Sequence, residues 1–91
     1  MHLLIPYDIA DDKRRRNIEK ILSSYGTRVN YSVFEVETTP AKYRRLIRAL
    51  ETGSDPRQDH IRIYSLNKES LKKSFVLHRE KGVFDHEELY I

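Results

Sequence analysis

The apolar residues near the start of the chain form one nearly continuous run over residues 3–9. A run of this kind predicts a central strand that is covered on at least one face, and here it ends at a carboxylate, Asp8. Pro6 conflicts with a central position, because proline has no N–H to donate to a neighbouring strand. We therefore expect a bulge or a local break at Pro6.

Further strands are predicted from β-branched and aromatic residues and from alternation. Residues 28–37 have this composition, and the turn-tolerant residues 30–32 favour two short strands over one long one. Residues 60–66 alternate as a half-buried strand does. The pattern then weakens: residues 75–78 are a candidate short final strand, and residues 87–91 form an acidic and apolar tail.

Two apolar stripes at the i, i+3, i+4, i+7 spacing predict two helices. The first covers about residues 11–25, with aspartates at its start that complement the helix dipole and Gly26 as a left-handed stop. The second has Thr39 as its N-cap, Pro40 at its first position and Gly53 at its end. The stripes consist of Ile18, Ile21, Leu22 and Tyr25 in the first helix and Tyr43, Leu46, Ile47 and Leu50 in the second.

The resulting order, β-α-β-β-α-β, predicts an α+β fold of the ferredoxin-like kind, an antiparallel sheet with two helices on one face. An extra C-terminal strand or tail follows. The helices leave the other sheet face bare, and a second copy of the chain is its simplest cover, so we expect a homodimer. We expect one domain over residues 1–91, with a core at 1–66 and a dimer-associated segment at 67–91.

Composition narrows the class of protein. The 91 residues include no cysteine, which excludes a disulfide framework and a Cys-ligated zinc site. No apolar run approaches the ~20 residues of a membrane span, and no signal-peptide pattern stands at the N-terminus. We therefore expect a cytoplasmic protein with no membrane partner.

The charge is unevenly distributed. Residues 1–50 carry ten Lys/Arg against six Asp/Glu, whereas residues 51–91 carry seven against eight. A basic first half points to an anionic partner, although basic residues also serve solubility. Two helix faces concentrate this charge, and each is either a phosphate-contacting or simply a solvated surface. They consist of Arg14, Arg15 and Arg16 in the first helix and Arg44, Arg45 and Arg48 in the second.

Asp8 is the best single candidate for a catalytic or metal-binding residue. A carboxylate at the end of a buried strand is costly to desolvate unless it is paired or bound to a metal, but it can equally be a turn or capping residue. Asp11 and Asp12 are supplementary metal ligands or, as is usual at a helix start, capping groups. Tyr31 and Phe34 could stack on bases, although core or interface packing is the more common use.

Three segments together resemble the CRISPR-associated protein 2 family. The first is Tyr-Asp-Ile at 7–9 followed by Asp-Asp-Lys-Arg-Arg at 11–15, and the second is Arg-Val-Asn-Tyr-Ser-Val-Phe-Glu at 28–35. The third is the strand Ile-Arg-Ile-Tyr at 61–64. The resemblance covers about residues 1–66.

The resemblance implies a ferredoxin-like homodimer in which each C-terminal strand crosses to the partner's sheet. It also implies work beside the CRISPR-associated protein 1 integrase in the capture of spacer DNA. Several members of the family are described as metal-dependent endonucleases on single-stranded RNA or double-stranded DNA, whereas others act as a structural bridge.

Carried over by position, Asp8 matches the catalytic aspartate that the family places at its dimer interface to hold magnesium or another divalent cation. Two symmetry-related carboxylates there would repel each other, and a magnesium ion between them would relieve the repulsion. Tyr7 and Phe34 match supporting positions around that site. Pro6 and Asn17 depart from the family pattern, Pro6 in the strand that leads to Asp8 and Asn17 at a frequently basic position.

The predicted nucleic-acid contacts come from the resemblance and from arginine chemistry. Arg15 and Arg28 match family positions around the site, and the fork of arginine suits phosphate geometry. Arg14 and Arg16 complete the predicted set. Two alternatives stay open: a DNA-bridging subunit without catalysis, and a ferredoxin-like domain that regulates by binding a small ligand.

Overall fold

A computed structural model of the chain describes residues 1–80 and 82–85. Its sheet is antiparallel throughout, with strand order β2-β3-β1-β4 and β5 also beside β1. The strands are β1 (His2–Asp8), β2 (Gly26–Asn30), β3 (Val33–Glu37), β4 (His60–Ile61) and β5 (Tyr64–Leu66), and the helices are α1 (Asp12–Ser23), α2 (Pro40–Gly53) and α3 (Lys68–Lys73). This strand order is that of the predicted ferredoxin-like fold, with β1 in the centre.

Both long helices begin where their caps predict. The Asp11 carboxylate accepts a hydrogen bond from the Arg14 N–H at 2.8 Å, and the Thr39 hydroxyl accepts one from the Lys42 N–H at 3.3 Å. Pro40 occupies the first turn of α2, as expected. Each cap satisfies an amide that has no partner inside its helix. The predicted split of residues 28–37 into two strands is also confirmed.

The role predicted for Gly26, as the left-handed end of α1, is wrong. The residue does not end α1 in a left-handed conformation, because no described glycine has a positive φ. Gly26 instead begins β2 opposite Val36, and a side chain there would collide with the carbonyl oxygen of Glu35. The glycine is therefore required by the close approach of two strands and not by a turn.

The core lies between one sheet face and the two long helices. Residues of β1 alternate between buried and partly or fully exposed, as expected for a strand with one covered face. The core side chains are Leu3, Ile5, Tyr7 and Ile9 from the first strand and its end, Ile18 and Leu22 from α1, Phe34 and Val36 from β3, and Leu46 and Leu50 from α2. The other face of the sheet carries no helix among the described residues.

The predicted break at Pro6 occurs in the neighbouring strand. The register of β1 with β5 and with β4 is continuous, so the predicted strand over residues 60–66 is one strand interrupted at Arg62 and Ile63. The Arg62 N–H donates to the Pro6 carbonyl at 2.9 Å. Proline has no N–H for the return bond, so the pairing loses half of its hydrogen bonds at this point.

The C-terminal part differs from the prediction. Residues 68–73 form α3, which begins with the Asn67 side chain accepting from the Ser70 N–H at 2.8 Å. The predicted strand over residues 75–78 is wrong for the single chain, because Arg79 closes a turn onto Val76 and His78 has a positive φ of 64°. Residues 87–91, the predicted tail, lie outside the described residues.

A short stretch near the C-terminus returns to the bare sheet face. The Phe84 N–H donates to the Glu35 carboxylate at 2.8 Å, and the Phe84 ring lies edge-on to His2 with centroids 5.1 Å apart. Glu35 is consequently buried although it faces away from the helices. Within residues 1–80 and 82–85, no helix has the length and apolarity needed to cross a membrane.

Candidate metal and nucleic-acid site

Asp8 lies at the carboxyl end of β1 and is exposed. Because Tyr7 faces the core, strand alternation directs Asp8 to the bare face of the sheet. Its register partner is His60 of β4, so the two residues share that face. Asp8 is therefore not desolvated, and the burial expected from the sequence is wrong. Its exposure nevertheless leaves the carboxylate accessible to a ligand.

Within residues 1–80 and 82–85, Asp8 is not part of a metal-binding cluster of carboxylates. Among the described residues, no group of three or more His, Asp or Glu side chains could hold a metal ion. Asp11 is the cap of α1, and Asp12 forms an ion pair with Arg15 at 2.8 Å. The helix-start aspartates therefore have the capping and pairing roles that were the alternative to ligation. Of the three aspartates in this region, Asp8 is the one left as a candidate ligand.

Tyr7, Arg28 and Phe34 form a cluster on the opposite side of the sheet. Glu19 of α1 joins them: the Tyr7 hydroxyl donates to Glu19 Oε2 at 2.5 Å, and Arg28 Nη2 lies 2.8 Å from the same oxygen. The Arg28 guanidinium also lies over the Phe34 ring, 5.6 Å from its centroid. Burial, with the hydrogen bond to Glu19, raises the pKa of Tyr7 to about 12. Sequence reasoning missed Glu19, whose position beside the Ile18 and Leu22 stripe was the available signal.

Arg14 forms an ion pair with Asp59 of the same chain. Its Nε donates to Asp59 Oδ2 at 2.8 Å and its Nη2 donates to Asp59 Oδ1 at 3.1 Å, a bidentate pair. The Asp59 side chain is 1% exposed and also accepts from the Asp55 N–H at 2.8 Å. The hydrogen bond from Arg14 holds the pKa of Asp59 below its usual value. Sequence reasoning missed this pair, because its partners are 45 residues apart.

Arg15 and Arg16, the other α1 arginines predicted to contact nucleic acid, differ in how accessible they are to a phosphate. Arg15 pairs with Asp12 and is half-buried, whereas Arg16 is exposed and has no ion pair within the described part of the chain. Further exposed cations without an ion pair there lie on both long helices. We call this set the basic helix face: Lys13, Arg16 and Lys20 of α1 with Lys42, Arg44, Arg45 and Arg48 of α2. The structure thus separates an acidic candidate site on one side from basic helices on the other.

These features define a small ferredoxin-like α+β protein with an accessible carboxylate at the end of its central strand. The family model of CRISPR associated protein Cas2 matches residues 1–74. The chain belongs to the Cas2 family, and the resemblance found in the sequence is confirmed.

Individual relatives cover most of the chain. The CRISPR-associated endoribonuclease Cas2 3 of Chloroflexus aurantiacus is 40% identical over 76 residues, which are 84% of this chain and 82% of that protein. The CRISPR-associated endoribonuclease Cas2 of Thermus thermophilus is 32% identical over 80 residues, 88% of this chain and 85% of that protein. Both carry a nuclease name.

Solved structures agree in fold. Streptococcus pyogenes Cas2 at pH 6.5 superposes with a TM-score of 0.74 and 34% identity, covering 85% of this chain and 99% of that one. A chain of a partial Cas6-RT-Cas1–Cas2 complex superposes with a TM-score of 0.76 and 34% identity, covering 93% and 92%. The ferredoxin-like fold class is therefore confirmed, and the family relationship supports a role in CRISPR adaptation.

Proposed function

We propose that the chain acts in CRISPR adaptation as a homodimer that binds nucleic acid and works with a Cas1-type integrase in spacer integration. We further propose that it cleaves phosphodiester bonds of single-stranded RNA or double-stranded DNA with magnesium or another divalent cation. The observation that carries the second proposal is the exposed Asp8 carboxylate at the end of the central strand. The nuclease names of the relatives and the Cas1–Cas2 complex support both proposals.

The bare sheet face supports the homodimer. Leu4, Pro6 and Val33 are half-buried there in the single chain, and Tyr64 remains 45% exposed. Phe75 and Leu77 add exposed apolar area, at 70% and 69% exposure. A second copy that covers these residues would remove apolar surface from water and bring the two bare faces together.

Magnesium fits this arrangement as a shared ion. It is commonly bound by one or two carboxylates and keeps several waters, so it needs no all-protein cage. The described part of one chain offers Asp8 as the candidate ligand at this strand end, and a homodimer that joins the bare faces offers two such carboxylates. When bound, magnesium supplies Lewis-acid stabilisation of the negative charge that develops on the phosphate.

The residues of the chain then have distinct tasks. The Asp8 carboxylates would hold the cation, and their position at a strand end places them on a rigid element. Exposed cations such as Arg16 neutralise backbone phosphates and give affinity without reading sequence. Tyr7, Glu19 and Arg28 fix the end of β1 from the helix side, through the hydrogen bond and ion pair at Glu19.

A second candidate is a DNA-bridging subunit without catalysis. The observation that favours it is the sparse ligand set, a single accessible carboxylate with no three-residue acidic or histidine cluster among the described residues. In this case the fold presents the basic helix face to DNA, and Asp8 takes no part in turnover.

A cleavage assay on RNA and duplex DNA with Asp8→Asn tests the nuclease proposal. Removing the charged ligand should slow magnesium-dependent cleavage by more than about 100-fold, the upper end of what even an outer-shell partner of a metal site contributes. The dimer and the melting temperature should be retained, since Asp8 is exposed. Glu37→Gln, which removes another exposed carboxylate at the far end of the same sheet face, is the matched control and should cleave normally.

The outcomes separate the two candidates. Cleavage that survives both Asp8→Asn and chelation of magnesium contradicts the assignment of Asp8. Spacer integration with a Cas1-type integrase that is unaffected by Asp8→Asn, in a protein that does not cleave, would establish the bridging role. A monomer in sedimentation at micromolar concentration would contradict the shared ion.

A further inference from the structure

We propose that Arg14 and Asp59 form a clip that positions β4 beside Asp8, so that Arg14 is a positioning residue for the candidate site and not a phosphate contact. The clip is the bidentate pair between these two side chains together with the Asp55 N–H that donates to Asp59. The inference rests on the proposed role of Asp8, but its contacts can be tested without any cleavage.

The contacts of the clip explain why Arg14 is not available to bind a phosphate. Two of its N–H groups reach the Asp59 carboxylate, and Nη2 also lies 3.4 Å from Gln58 Oε1. A charged hydrogen-bonded pair with a buried acceptor is costly to break, because the remaining charge would stay buried without a partner. Binding a phosphate would require Arg14 to leave Asp59 in that state.

The strand that follows Asp59 depends on this anchor. β4 has two residues, and it pairs with β1 through Tyr7 opposite Ile61 and Asp8 opposite His60. The next position along the ladder is weakened, since Pro6 accepts from the Arg62 N–H and returns no bond. A two-residue strand next to a half-formed ladder position has little stability of its own.

The clip holds the start of β4 against the end of β1, where the strand pairing alone is weak. Asp59 immediately precedes His60, and the loop before it is held by the Asp55 carboxylate, which accepts from the N–H groups of Arg57 and Gln58. Arg14 ties this loop to the first turn of α1, just after the chain leaves Asp8. The end of β1 and the start of β4 are thereby fixed at the same point, which sets the position of Asp8 on the bare face.

Amide hydrogen exchange of the Arg62 N–H tests the clip directly. Arg14→Gln and Asp59→Asn should each speed its exchange by at least about tenfold relative to amides in the middle of α1, and the double variant should be no faster than the faster single variant. Arg14→Lys should resemble Arg14→Gln, because lysine keeps the charge but cannot form the bidentate fork. Unchanged Arg62 exchange in both Asp59→Asn and Arg14→Gln overturns the proposal.

Salt dependence of nucleic-acid binding separates positioning from phosphate contact. A lost phosphate contact lowers the slope of log affinity against log salt by about 1. Arg16→Gln, the matched control two residues away, should show this loss, whereas Arg14→Gln should keep the slope. A slope loss in Arg14→Gln equal to that in Arg16→Gln, with Asp59→Asn binding as well as the unmodified protein, overturns the proposal.

The kinetic readout distinguishes positioning from loss of stability. If Asp8 supports cleavage, Arg14→Gln and Asp59→Asn should lower kcat by about tenfold, within the range for partners that orient a metal ligand, with KM nearly unchanged. Leu22→Val, a core truncation in α1 compared at equal fraction folded, should leave kcat unchanged. An equal loss of kcat in Leu22→Val overturns the positioning role. Cleavage unaffected by Asp8→Asn contradicts the proposed function alone, because the exchange and salt results still decide the clip.

Discussion

Neighbouring residues of β1 have opposite environments, and this decides which of them can meet a ligand. Tyr7 is buried among the helices and donates its hydroxyl to Glu19, whereas Asp8 is exposed on the other face. The sequence placed both residues in one predicted site, with Arg28 and Phe34. The structure brings Tyr7, Arg28 and Phe34 together around Glu19, and it places Asp8 across the sheet from them. The roles assigned to these residues stay predictions.

The Tyr7 hydroxyl should ionise at a higher pH in the folded protein than in the unfolded chain. Burial and the Glu19 carboxylate raise its pKa from 10.0 to about 12, so the folded state holds this proton more tightly than the unfolded chain. The stabilising contribution is full below pH 10.0 and is lost as the pH rises towards about 12. Ultraviolet titration of phenolate should show a late component that Tyr7→Phe removes.

Two variants control this measurement. Glu19→Gln should move the late component to lower pH, because it removes the negative charge next to the phenolate. Tyr31→Phe, at a side chain that is 89% exposed, should leave the late component in place. A Tyr7→Phe spectrum that keeps the late component would show that the ionisation belongs to another tyrosine.

At the scale of elements, one proline shapes the centre of the sheet. β1 is paired on both sides, and Pro6 directs its missing donor towards Arg62. The sequence predicted a disturbance at Pro6, but the ladder between β1 and β3 continues through it to Val33. The break falls on the opposite side, between β4 and β5, because Pro6 still supplies its carbonyl and lacks only the N–H.

Pro6→Val should restore the return bond without a large change in stability. A new backbone hydrogen bond contributes about 1 kcal/mol net, and the freedom that the unfolded chain gains on losing proline costs about 0.4–1 kcal/mol. The two effects nearly cancel, so the free energy of unfolding measured in urea should change by less than about 1 kcal/mol.

The structural effect should be visible in amide exchange. The N–H introduced at position 6 should be as protected as that of Tyr7, which donates to the Ser32 carbonyl at 3.0 Å. Rapid exchange at position 6 would mean that the interruption at Arg62 and Ile63 has another cause. Pro56→Ala, in the exposed loop before β4, is a matched loss of proline that adds no sheet donor.

At the scale of the whole molecule, the two sides of the fold have different chemistry. The basic helix face carries seven cations, none in an ion pair within the described residues. The opposite side of the sheet carries Asp8, Glu35 and Glu37 beside half-buried apolar residues. This separation of charge favours nucleic acid on the helix side in the bridging role and a second copy of the chain on the sheet side, whereas cleavage at Asp8 would require a phosphate on the sheet side.

Removal of the arginines of α2 should weaken binding to all nucleic-acid sequences alike. The triple variant of Arg44, Arg45 and Arg48 to Ala removes three exposed charges, so the slope of log affinity against log salt should fall by up to about 3. Titrations over a series of salt concentrations measure this. The matched triple variant of Lys68, Lys72 and Lys73 in α3 to Ala should alter the slope less, and an equal loss would mean that net charge rather than the helix face governs binding.

Local chemistry was sufficient for the order of the main elements. The caps Asp11 and Thr39, the apolar stripes and the strand-type residues each act over a few neighbours, so the sequence by itself determined two helices, the divided 28–37 segment and the ferredoxin-like order. The α3 helix escaped prediction, since its mostly polar residues have no periodic apolar face. The turn at residues 76–79 was mistaken for a strand because Val76 and Leu77 are apolar, although both are exposed. Gly26 was misassigned because its requirement comes from Glu35 in another strand.

The partners of the candidate site were decided by tertiary structure. The sequence singled out Asp8, and family resemblance added the arginines, but neither could show that Arg14 meets Asp59 or that Arg28 meets Glu19. These pairs join residues far apart in the chain, and they form because the sheet register and the packing of α1 bring the charges together. Tertiary structure also decides which face of the sheet Asp8 occupies. The helices pack on one face, and alternation along β1 then places Asp8 on the other.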